Sequence, residues 1–220
     1  MITPLVLLAM IAFASSLLIE DSRADLENQV FTSREEGLRL VIPRGWRATD
    51  QPSYPGFLLW LLRSEPEGTM VLTAEALTHE RYCTWPVACR TSPDSLATKY
   101  ACMLRSKLGA QRLNVGPVQA GPKDNEAAGL PSVWFEYDDG KKFLRHAVAL
   151  TDTRTITLVL SAPSNDARAN HIRSFEQALR TLRRVSGSTA TTDAGVTDGT
   201  TSAAAPFDPA APCSSIPTQQ

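Results

Sequence analysis

The side chains most able to do chemistry in this chain are His79, Cys83 and Cys89, which stand close together, followed by Cys102 and Cys213. Thiols in an oxidising compartment pair by default. Four cysteines allow three pairings, and spacing alone does not choose among them. The first bridge expected is Cys83–Cys89, which would pin the loop through Trp85 and Pro86 and stabilise by ~2 kcal/mol through loop closure. Cys102 falls on the polar side of a helix, opposite Leu104, so it is an alternative partner for Cys83 or Cys89, or for Cys213. A metal competes for the same residues. His79-x3-Cys83-x5-Cys89 with Cys102 offers four soft ligands of the zinc type, but lacks the short Cys-x2-Cys knuckle. No metal and no cofactor is expected. A redox-active pair is disfavoured by the absence of Cys-x-x-Cys.

Other chemistries are weaker still. There is no Gly-x-Ser-x-Gly elbow and no His-Glu-x-x-His helix. His146 shares a strand face with Leu144, Val148 and Leu150, and His171 borders an apolar helical stripe, so both read as core histidines rather than bases. A Cys102–His dyad can be drawn, but nothing in the sequence joins the two. Glu136, Asp138 and Asp139 read as a solvated hairpin tip, because a calcium loop needs more oxygen ligands in a fixed pattern. No catalytic residue is therefore assigned. The best binding candidates are Tyr82, Trp85 and Pro86, which lie in a polar stretch. Exposed aromatics there would anchor a partner. The competing fate is Trp85 folded back onto the core beneath a disulfide.

The elements that must position these residues can be read in order. Val30–Ser33 and Leu38–Ile42 are short strands, the second ended by Pro43 and Gly45. Phe57–Leu62 is an apolar run that suits a strand buried on both faces. Thr69–Leu77 follows as a strand, and residues 78–92 as a loop. A helix is expected from a Ser92 cap with Pro93 at its first position, ending near Gly109, with Leu96, Ala97, Tyr100, Leu104 and Leu108 on one face. Val115–Gln119 reads as a strand and Gly121–Gly129 as a polar loop. Ser132–Tyr137 alternates, with Val133, Phe135 and Tyr137 on one face. Asp138-Asp139-Gly140-Lys141 signals a hairpin, and Lys142–Leu150 and Thr155–Ser161 complete a meander. Ser164 caps a last helix with Ile172, Phe175, Leu179 and Leu182 on its apolar stripe. Arg173, Arg180, Arg183 and Arg184 gather at its end as a solvated face suited to the helix dipole. The fold expected is α+β, an α/β/α sandwich on a mostly antiparallel sheet with helices on both faces.

This order resembles the PsbP-like family. The resemblance rests on Phe31, Gly37, Leu38, Leu40, Ile42, Pro43, Gly45 and Trp46 at the front. At the back it rests on Gly129-Leu-Pro-Ser-Val-Trp-Phe-Glu-Tyr137, the hairpin at 138–141 and the helix with Phe175. It covers residues 30–184. Its members include the extrinsic photosystem II subunit, a Ran-binding nuclear import factor and bacterial secreted proteins. The resemblance implies docking or assembly roles and brings no shared catalytic set. The Tyr82–Cys89 segment departs from the family plan.

Residues 1–24 read as an export signal, with an h-region over Leu5–Leu18 and small residues at Ser22 and Ala24. The n-region lacks Lys and Arg, and uncleaved, the segment is just long enough to act as a membrane anchor. Residues 25–185 form the domain. Residues 186–220 are rich in Thr, Ser, Ala and Pro and are expected to stay disordered. A net charge of -1 argues against nucleic acid. The sequence therefore points to an exported, non-enzymatic domain that docks to an envelope or secreted protein. The alternatives are a small-molecule or metal-binding protein and a thiol-dependent enzyme.

Overall fold

A computed structural model describes residues 29–49, 55–127, 130–185 and 207–213. The segment 1–24, expected to be an export signal, lies outside these residues, as do 186–206 and 214–220. Among the described residues no helix is long and apolar enough to cross a membrane.

Among the described residues eleven strands form two sheets. A small one joins β1 (Val30–Ser33), β2 (Leu38–Val41) and β11 (Arg183–Arg184) in the order β1-β2-β11. The large one runs β3 (Arg47–Ala48), β4 (Phe57–Arg63), β5 (Gly68–Ala76), β10 (Arg154–Ala162), β9 (Phe143–Leu150), β8 (Ser132–Asp138), β6 (Asn114–Val115). β7 (Gln119–Ala120) also pairs with β8, and every ladder is antiparallel. Five helices complete the described chain: α1 (His79–Cys83), α2 (Val87–Arg90), α3 (Leu96–Ala110), α4 (Lys123–Ala127) and α5 (Asn165–Thr181).

Alternation along the strands gives the sheet two apolar faces. On one, Leu59, Leu61, Met70, Leu72, Ile156 and Leu158 belong to a core that includes Phe175 and Leu179 of α5 and Leu182 just beyond it, with Leu38 and Leu40 of the small sheet. On the other, Phe135, Val148 and Leu150 meet Ala97, Tyr100 and Met103 of α3, with Tyr82 and Trp85 beside them. Helices thus cover both faces, and the architecture is the expected α+β sandwich.

The differences are local. α3 starts later than expected: Ser95, not Ser92, is its cap, accepting a hydrogen bond from the Thr98 amide, while Ser92 bonds Asp94 instead. The apolar run at 57–62 is not buried on both faces. β4 neighbours the two-residue edge strand β3, so Leu58, Trp60 and Leu62 are only half covered. The doubly buried strand is the central β10, where Thr155, Ile156, Thr157 and Leu158 are all buried. The strand expected over 115–119 is split in two around Gly116, and α4 occupies the loop expected at 121–129. Arg183 and Arg184 do not extend α5. The helix ends at Thr181, Leu182 turns to extended backbone, and the two arginines pair with Arg39 and Leu38.

Candidate functional site

Both short helices of the segment 78–102 are tied down by more than one contact. Thr78 caps α1 by accepting from the Arg81 amide, and Thr84 closes it through a bond to the Arg81 carbonyl. α2 is too short to stand alone. Cys89, buried at 3% exposure, bonds covalently to Cys102 on α3. Arg90 Nε donates to the Trp85 carbonyl at 3.0 Å, and Lys99 Nζ donates to the Arg90 carbonyl at 2.9 Å.

The second disulfide joins Cys83 to Cys213. The first expected pairing, Cys83–Cys89, is therefore corrected. Cys83 ends α1 while Cys89 points from α2 toward α3, so the nearer cysteine in sequence is not the nearer in space. The expectation of a tail disordered from residue 186 is corrected at its described part. Residues 207–213 lie against the domain, with Phe207 edge-on to Tyr82 at 5.4 Å between ring centroids. Phe207 and Pro209 also wall a groove of about 320 Å³ with Leu96 and Leu150.

Tyr82 and Trp85, offered as exposed anchors, are 4% and 3% exposed. Trp85 packs between Tyr82 and Tyr100, at centroid distances of 4.9 and 5.2 Å. The aromatic pair is the floor of the segment and Pro86 is half-buried at its rim. What faces outward is Val87, at 63% the most exposed large hydrophobic side chain among the described residues, with Ala88 beside it.

The zinc-type set is also taken apart. Cys89 and Cys102 pair with each other, away from His79. Instead His79, Cys83 and Cys213 present ligand atoms within 4.8 Å of one another, the two sulfurs being bonded. His79 Nε2 lies 3.3 Å from Cys83 Sγ, its Nδ1 lies 3.2 Å from the Asp208 carbonyl, and Arg90 Nη1 donates to Cys213 Sγ at 3.1 Å. All four cysteines are thus bridged.

The other candidates resolve into structure. His146 stacks on Phe135 with both ring nitrogens shielded and unpartnered, and burial pushes its pKa down to about 4. His171 is buried, and its Nε2 donates to the Glu67 carbonyl at 2.9 Å. Asp139 is the solvated hairpin tip expected. The Lys141 and Lys142 amides bond its carboxylate and hold its pKa below the usual value.

Glu136 belongs to a network the sequence reading missed. The hairpin register sets it opposite Arg145. Arg145, only 7% exposed, donates to Glu136 Oε1 at 2.6 and 2.8 Å and lies 4.2 Å above the Trp134 ring. Arg168 of α5 reaches the other Glu136 oxygen at 3.1 Å. The signal available was the turn, which fixes which residues face each other across the hairpin.

No protein-family model matches the chain, and no curated protein matches it. Among solved structures it is similar to the cyanobacterial PsbP of Synechocystis, with 16% identity over 72% of this chain and 93% of that one at a TM-score of 0.47. It is similar to the Ran-binding protein Mog1p of Saccharomyces cerevisiae, with 8% identity over 72% and 95% at 0.43. It is also similar to LpqN of Mycobacterium tuberculosis, a protein involved in cell envelope biogenesis, with 14% identity over 75% and 95% at 0.41. The first two are the kinds of protein that the resemblance in sequence brings in.

Proposed function

We propose that this chain is a non-enzymatic docking domain of an oxidising, extracytoplasmic compartment, and that it meets a protein partner through the tip of α2. One observation carries this reading. Val87 is 63% exposed on a helix that is too short to be there by chance of propensity and is fixed from below by Trp85 and the Cys89–Cys102 bridge. A protruding apolar side chain on a preorganised base is what an interface anchor requires, because little ordering entropy is lost on binding. The pairing of all four cysteines supports the compartment.

The test is photo-crosslinking in the native host from position 87, with exposed Gln177 on α5 as the control. The reading expects a discrete protein adduct from 87 alone, competed away by excess parent protein but not by its Val87→Glu variant, whose melting temperature stays put. No adduct, or equal adducts from both positions, defeats it.

A further inference from the structure

The two disulfides sit in different chemical surroundings. Cys89–Cys102 has one sulfur-bearing residue fully buried, and among the described residues no hydrogen bond reaches either sulfur. Cys83–Cys213 is half-buried at both ends, with an imidazole nitrogen on one sulfur and a guanidinium on the other. These two groups are what exchange chemistry needs. A disulfide opens when a thiolate attacks one sulfur and the other leaves as thiolate, faster as the leaving thiolate is better stabilised. A fixed cation beside a sulfur lowers the energy of its thiolate.

We propose that Cys83–Cys213 is a thiol–disulfide exchange site for a dithiol partner, with Cys83 the sulfur attacked, Cys213 the leaving sulfur, Arg90 the cation that receives it and His79 the proton carrier. The first thiol of the partner gives its proton to His79 Nε2, and its sulfur bonds to Cys83 Sγ. The Cys83–Cys213 bond breaks, its electron pair going to Cys213 as a thiolate held by Arg90. The partner's second thiol passes its proton to the Cys213 thiolate, and its sulfur attacks the partner's own sulfur in the mixed disulfide. Cys83 leaves and takes the proton from His79. The dithiol is oxidised by two electrons to a disulfide, and the Cys83–Cys213 pair is reduced by the same two. Opening the bond frees residues 207–213 from their only covalent tie to α1, so Phe207 can leave Tyr82 and the groove beside Leu150. This inference stands apart from the docking reading, which concerns the outer surface of α2.

The full-length folded protein is treated with reduced glutathione, quenched with iodoacetamide and mapped by mass spectrometry, with tryptophan fluorescence confirming that the fold persists. Cys83–Cys213 is expected to open on the order of tenfold faster than Cys89–Cys102, with glutathione on Cys83 and the alkyl group on Cys213. His79→Gln is expected to slow opening at least about tenfold at neutral pH, and to match the parent once the solution itself ionises the thiol. Arg90→Gln is expected to scatter glutathione over both sulfurs, while Arg90→Lys restores Cys83. Dithiothreitol in place of glutathione should carry the reaction through to the free pair. Equal opening of the two disulfides, glutathione on Cys213, or a His79→Gln rate equal to the parent at neutral pH each overturns the proposal.

Discussion

Gly68 shows how little room one residue can leave. A Cβ built there would lie 2.5 Å from His171 Nε2 and 3.2 Å from the Trp46 ring, and those two rings already meet edge to face at 5.0 Å. Neither ring can withdraw, because both are fully buried. Gly68→Ala should therefore cost about 1–3 kcal/mol, read from the urea midpoint. His146 sets a pH limit on stability. It stays neutral in the fold down to about pH 4, while in the unfolded chain it takes a proton near pH 6.5. Below that value the unfolded chain gains a proton the folded one lacks, so its stabilising effect is complete above pH 6.5 and declines as pH falls toward 4. The full loss amounts to about 3 kcal/mol. Urea titrations at about pH 7.5 and pH 4.5 should show it in the parent, and show much less in His146→Phe, which keeps the stacked ring on Phe135 without the titrating nitrogens.

At the scale of elements, α2 exists because of its surroundings. Replacing Cys89 and Cys102 together by alanine should cost about 3 kcal/mol, as for other short closed loops. Trp85→Ala should cost about 3–5 kcal/mol through the cavity it opens between Tyr82 and Tyr100. Both are read by chemical denaturation, and a neutral Trp85→Ala would deny its place in the core. Sequence periodicity was enough for the long elements. The alternation of Val133, Phe135 and Tyr137 and the helical spacing of Phe175, Leu179 and Leu182 report burial directly, because one face of each is covered by a layer. It failed where a contact depends on chain segments far apart. Tyr82 and Trp85 look exposed beside polar neighbours, yet α3 and Phe207 cover them. The length of the run at 57–62 carries no information about whether its strand lands in the middle of the sheet or next to the edge. Cysteine partners are hidden for the same reason: a six-residue spacing suggests a loop, while the two thiols stand on separate short helices that turn them apart.

Across the described residues, two late segments of the chain are tied back onto earlier ones. Leu182 enters the core and β11 zips onto β2, with the Val185 amide bonded to the Gly37 carbonyl at 2.8 Å. The later segment returns to the opposite face of the sheet and is bonded to α1 across 130 residues of chain. A protease site introduced between residues 186 and 206 should thus give a cut protein that keeps its intact mass plus one water until a reductant is added, and then separates into two pieces. Separation without reductant would contradict the Cys83–Cys213 bond. That same span also fixes a sequence of events in manufacture. Chains appear from the ribosome at about 5–20 residues per second. Cys89 meets Cys102 within a second or so, but Cys83 stands unmatched for on the order of ten seconds. Cys89 is also the thiol that Cys83 meets first, so the native pairing depends on Cys102 taking Cys89, and the Cys83–Cys213 bond is the last to close.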